Sequence, residues 1–69
     1  MANYFKKDMY DAIQICINGI SRERKSMTEA LNRIRPYLNE DGVRAARDAI
    51  DAYNDLIASM EKVKRNLQL

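Results

Sequence analysis

The sequence predicts an all-α fold, an antiparallel hairpin of two long helices that completes a four-helix bundle by homodimerisation. Two apolar stripes advance in steps of three, four and seven residues, the period of a helix with one buried face. Pro36 and Gly42 separate the stripes and indicate the turn. At 69 residues the chain is predicted to be a single helical-hairpin domain, 1–69, and one thin contact layer favours self-association or a partner.

The first helix is predicted to begin near Asn3 and to end near Arg35. It is expected to continue through Gly19, because the apolar residues on both sides of this glycine keep one helical phase. An alternative is a break at Gly19 with Ser21 capping a new helix, which gives a compact three-helix bundle. Pro36 ends or kinks the helix, since it lacks a donor N–H. The stripe consists of Met9, Ile13, Cys16, Ile20, Met27, Ala30, Ile34 and Tyr37, widened by Tyr10, Ile17, Leu31 and Leu38.

The second helix is predicted over residues 40–67. Asn39 and the two acidic residues after it supply capping oxygens and negative charge where the helix dipole is positive. Three apolar positions in each seven give the width of a helix in a bundle rather than the seam of a two-stranded coiled coil. The stripe consists of Val43, Ala46, Ile50, Tyr53, Ile57, Met60 and Leu67, widened by Ala49, Leu56 and Val63.

Two sets of contact residues follow from the stripes and from the unequal helix lengths. At ~1.5 Å per residue the first helix spans about 50 Å and the second about 40 Å, so residues 1–11 are expected to overhang. Apolar side chains on such an overhang indicate a binding site for another protein, here Tyr4, Phe5, Met9 and Tyr10. The residues expected to hold two copies together are Ile13, Cys16, Ile17, Ile20, Ile50, Tyr53, Ile57 and Met60.

Enzymatic chemistry is not expected of this composition. The chain contains no His, which removes the commonest general base and the usual partner of a nucleophilic Ser or Cys. Cys16 lies within the apolar stripe and is expected to be a small buried core residue. Asp48, Asp51 and Asp55 share a helix face but point away from the stripe, so neither a metal nor another cofactor is expected.

The net charge and the lack of long apolar runs indicate the location of the protein. A net charge of +2 from 12 basic and 10 acidic residues gives no strong field toward a nucleic acid or a membrane. No apolar run approaches the ~20 residues that span a bilayer, and the features of a secretory signal are missing. The expected location is the cytoplasm, with leaderless export as the alternative.

These observations favour a non-enzymatic protein-binding module. It would act stoichiometrically, as an adaptor, a chaperone or a small inhibitor of a larger protein. Small helical chains without catalytic motifs are also common among phage and mobile-element products, which suggests an origin of that kind.

A nucleic-acid interface is the first alternative. In the antiparallel pairing, basic residues of the first helix lie near those of the second and form a girdle that could contact phosphates. The chain resembles, in architecture, the Rop-type helical-hairpin dimers, which bind RNA through a helical face. The girdle residues that could contact RNA or DNA are Arg22, Arg24, Lys25, Lys62 and Arg65; the competing interpretation is an ordinary solvated flank.

A secretion-system hairpin is the second alternative. Two long antiparallel helices joined by a short turn resemble the WXG-type hairpins, which work as dimers and are exported by type VII systems. Residues 37–42 stand where that family carries its Trp-x-Gly turn, and the chain contains no Trp. The resemblance therefore implies a WXG-like hairpin that lacks the signature.

Overall fold

Two antiparallel helices make up the hairpin in the computed structural model, which describes the backbone of residues 2–68 and the side chains of residues 6–68. Helix α1 spans Ala2–Ile34, a 3₁₀ turn spans Arg35–Tyr37, and helix α2 spans Glu40–Arg65. The Cα atoms extend over 55 × 17 × 8 Å, so the molecule is a slab one helix thick. The predicted all-α hairpin is confirmed. Neither described helix has a stretch that is both long and apolar enough to cross a membrane.

Helix α1 continues through Gly19, so the three-helix alternative is wrong. Gly19 has no positive φ, which a helix end with a left-handed glycine would require. A Cβ atom built at Gly19 would meet only an Arg22 guanidinium nitrogen, at 3.9 Å. The apolar residues on both sides of Gly19 keep one helical phase, and the continuous helix that this phase predicted is confirmed.

The turn is built by Pro36 at one end and by Asn39 at the other. Pro36 lies in the 3₁₀ turn that ends α1, and the Leu38 N–H donates to the Arg35 carbonyl at 3.1 Å. The Asn39 side chain accepts a hydrogen bond from the Gly42 N–H at 2.9 Å and caps α2. A Cβ atom at Gly42 would lie 3.1 Å from two Leu38 side-chain atoms, so glycine permits this close approach.

Loss of the Asn39 cap should destabilise the hairpin. Replacing Asn39 by Ala is expected to lower the free energy of unfolding by about 1 kcal/mol, because the Gly42 N–H loses its acceptor. The matched control is Asn32→Ala at an exposed position within α1, where Ala is the better helix former and stability should hold or rise slightly. Urea denaturation followed by circular dichroism measures both. Equal losses in the two variants would contradict the capping role.

Three hydrogen bonds between side chains of the two helices fix their alignment. Lys64 donates to Gln14, Arg24 donates to Asn54 at 2.9 Å, and the Tyr53 hydroxyl donates to Glu23 at 3.3 Å. In this register Arg65, the last residue of α2, is level with Ile13. Residues 2–12 of α1 therefore extend past the end of α2, in agreement with the predicted overhang.

Ile17 is the one buried residue among residues 6–68, with 4% of its surface exposed. Most of the predicted self-association set is only half-buried, namely Ile13, Ile20, Ile50, Tyr53, Ile57 and Met60. A single layer of two helices removes from solvent only the residues that point straight into the seam between them.

Seven positions predicted to lie on the apolar stripes are exposed, Cys16 and Tyr37 among them; the others are Met9, Ala30, Ile34, Leu56 and Val63. Cys16 is exposed, so the expectation of a buried core residue is wrong for the single chain: its side chain points beside the seam rather than into it. Tyr37 was placed on the stripe of the first helix, yet it is 88% exposed. The 3₁₀ turn at Pro36 changes the phase of the chain there and carries Tyr37 away from α2.

A candidate protein-binding face

The hairpin has two broad faces of opposite character. On one side of the seam, polar residues at steps of three, four, seven and eleven follow the two helices. On the other side, apolar residues of both helices line a single open groove. The hairpin is therefore amphipathic as a unit, not only helix by helix. The polar line consists of Gln14, Asn18, Ser21, Lys25 and Asn32 of α1 and Arg47, Asn54 and Arg65 of α2.

The floor of the groove is apolar and is formed by side chains from both helices. Its edges carry two small residues and two charged ones. The floor is lined by Cys16, Ile20, Met27, Tyr53 and Met60, and the edges by Gly19, Arg22, Glu23 and Ser26.

Four further large apolar side chains extend the groove along the helices. Met9 is seven residues before Cys16 and Ile34 seven after Met27, so each shares a helix line with a groove residue. Leu56 and Val63 lie one turn to either side of Met60 on α2. Their exposed fractions are 41%, 47%, 44% and 49% for Met9, Ile34, Leu56 and Val63. We call the groove floor together with these four side chains the apolar face.

The charges near the apolar face lie at its edge and are balanced in sign. Arg22 and Glu23 are the two charged residues that line the groove. Glu23 accepts the hydrogen bond from the Tyr53 hydroxyl at 3.3 Å, which satisfies the polar end of a ring that lies on the floor. The ion pair found among the described residues, Arg44 with Asp41 at 3.5 Å, is exposed at the start of α2. A bound partner can therefore exclude water from the floor of the groove without burying an unpaired charge.

Small residues border the apolar face on both helices. Gly19 and Ser26, seven residues apart, form the edge of the groove on α1. On α2, Ala52 and Ser59 are exposed and lie one turn from Leu56. Small side chains at these edges leave room for another helix to approach closely.

The predicted partner-binding residues divide between described and undescribed parts of the chain. Met9 belongs to the apolar face, whereas Tyr10 is half-buried. The side chains of Tyr4 and Phe5 lie outside the described residues. Met9 thus joins the end of the overhang to the groove along one line of α1.

The predicted nucleic-acid contacts occupy three different environments. Arg22 lines the groove, and Arg24 is half-buried and donates to Asn54. Lys25, Lys62 and Arg65 are exposed. Part of the predicted girdle is thus engaged within the hairpin or at the edge of its apolar face.

Sequence reasoning missed Ile15 and the hydrogen bonds between the helices. Ile15 is 68% exposed and lies off the apolar stripe, where no periodic signal indicates a role. The hydrogen bonds between the helices could have been predicted from the position of the turn. Gln14 and Lys64 are equally distant from Asn39 along the chain, as are Arg24 and Asn54, so the position of the turn pairs them.

Comparison with known proteins adds no chemistry to this geometry. No protein-family model, curated protein or solved structure matches the chain. Among the described residues, no group of three or more acidic or cysteine side chains is placed to hold a metal ion. The function has to be argued from the apolar face itself.

Proposed function

We propose that this chain is a non-enzymatic protein-binding module that acts stoichiometrically, as an adaptor, a chaperone or a small inhibitor of a larger protein. The observation that carries the proposal is the apolar face, to which both helices contribute on the same side of the seam. Four large apolar side chains there are more than 40% exposed in the single chain. Contiguous exposed apolar surface of this kind is typical of interaction sites.

The chemistry of the face favours a helical ligand. A groove between two helices accepts apolar side chains that recur at steps of three, four and seven on another helix. Cys16, Ile20 and Met27 provide side chains of different sizes along the floor, and methionine adapts its shape to what it contacts. The polar edge residues Arg22 and Glu23 then lie where solvent reaches the rim of the complex.

Binding and stability are expected to be linked in this module. With Ile17 as the one buried residue among those described, the single chain gains little from its own core. A partner that binds the folded hairpin and not the unfolded chain stabilises it by mass action. The same contacts would therefore support both folding and function.

The proposal is tested by loading the apolar face with charge. Replacing Leu56 and Val63 by Glu puts two carboxylates on exposed positions of the face, so the hairpin tolerates them but a bound partner does not. The matched control places Glu at Ile15 and Ala58, which are exposed and lie off the face. We expect native and control chains, immobilised and incubated with a cell extract, to retain a protein in a fixed molar ratio.

The face variant should retain at least about tenfold less of that protein than the native chain does. A tenfold loss of affinity corresponds to about 1.4 kcal/mol of binding free energy. Retention that is the same for all three chains would contradict binding through the apolar face. Circular dichroism on each chain verifies that the helices are still present.

A further inference from the structure

We propose that a second copy of this chain covers the apolar face, so that two hairpins pack face to face as a four-helix bundle. This inference rests on the proposed function and names the protein that occupies the face when no larger partner is bound. It is carried by the exposed area, by the width of the face and by the charges at its edge.

The exposed area of the single chain exceeds that of a compact protein of the same mass. The chain exposes 5621 Å², whereas a compact monomer of its 8.0 kDa exposes about 4,450 Å². The excess is about 1,200 Å², compared with the ~800 Å² that each partner buries in an interface of standard size. The surplus surface therefore exceeds what each chain buries in an interface of standard size.

The face is about as wide as two helices side by side. The hairpin measures 17 Å across its Cα atoms and 8 Å in thickness. One helix packs at ~8–10 Å from its neighbour, so a single foreign helix would fill the groove and leave one flank exposed. A second hairpin presents two helices at the same spacing, and its own apolar face is covered at the same time.

The charges at the edge of the groove are compatible with a copy of themselves. A two-fold interface uses the same surface on both chains, so a face with charges of one sign would repel its copy. Here Arg22 and Glu23 are neighbours of opposite sign, and the rest of the groove lining is uncharged. A two-fold interface through the groove therefore brings together no excess of charge of one sign.

The molar mass of the reduced protein tests the inference. Size-exclusion chromatography with light scattering should give twice the 8.0 kDa of the chain, and the thermal midpoint should rise with protein concentration, as expected for a dimer. The Leu56→Glu, Val63→Glu double variant should give the mass of one chain. The Ile15→Glu, Ala58→Glu control, with the same added charge, should remain a dimer.

Cys16 supplies a second readout, because its thiol is exposed in the single chain and lines the groove. Its reaction with a thiol reagent should be at least about tenfold slower in the native protein than in the face variant. This difference should disappear when the native protein is diluted below its dissociation constant.

A native protein with the mass of one chain, helical and with a fast-reacting Cys16, would overturn the second copy and leave the face free for a different protein. A face variant that keeps the mass of two chains would also overturn it, since the dimer would then use another surface. Loss of extract binding by the face variant tests the proposed function separately. The two proposals therefore fail on different measurements.

Discussion

Replacing Ile17 by Ala is expected to lower the free energy of unfolding by about 2–4 kcal/mol. Ile17 is 4% exposed and is the one buried residue among those described, so the substitution leaves a cavity between α1 and α2. A hairpin of this size has only a few kcal/mol of stability, ~3–5 by the usual limit for a small core. Most of the helical signal should therefore be lost at room temperature.

Ile15→Ala is the matched control for this prediction. It removes the same atoms two positions earlier, where the side chain is 68% exposed, and should change stability by less than about 0.5 kcal/mol. Urea denaturation of the three proteins at one concentration gives both differences. If Ile15→Ala cost as much as Ile17→Ala, Ile15 would have to be buried in solution, and the assignment of the two faces of α1 would be wrong.

Substitutions at Gly19 should act in opposite directions. Ala is expected to raise the free energy of unfolding by about 0.5–1 kcal/mol, because the added Cβ atom meets only an Arg22 nitrogen at 3.9 Å and the backbone is helical. Pro should lower it by about 3 kcal/mol or more, since it removes a hydrogen bond of α1 and its ring collides with the Ile15 carbonyl.

Thermal and urea denaturation, followed by circular dichroism, distinguish a continuous helix from a broken one at this position. A continuous α1 predicts a wide gap between the Ala and Pro variants. Similar stabilities for the two would mean that Gly19 lies in a loop in solution and that the three-helix bundle has to be reconsidered. Native Gly19 lies between them and serves as the reference for both.

The fold was largely predictable because its signals are local. The phase of the apolar residues predicted a helix through Gly19, and the missing donor of Pro36 placed its end. The capping oxygen of Asn39 likewise placed the start of α2. Each of these effects acts within one or two turns of the residue that causes it, so no knowledge of tertiary contacts was needed.

The candidate site was less predictable because it depends on how two helices are rotated about their axes. Periodicity assigned Cys16 and Ile17 to the same broad stripe, yet Cys16 is exposed and Ile17 is buried. An apolar stripe wider than one contact line does not say which edge faces α2. The apolar side chains that are not buried between the helices, Met27 and Met60 among them, line the groove.

The short connection between the helices also determines how the hairpin forms in time. Contacts next to the turn join residues few positions apart, whereas Gln14 and Lys64, near the open end, are separated by 50 positions. If pairing starts at the turn, each later contact costs little further loop-closure entropy. The helices should therefore pair progressively from the turn to the open end, within about 1–100 microseconds. The open end should then fray first, and amide hydrogens near Gln14 should exchange faster than those near Leu31.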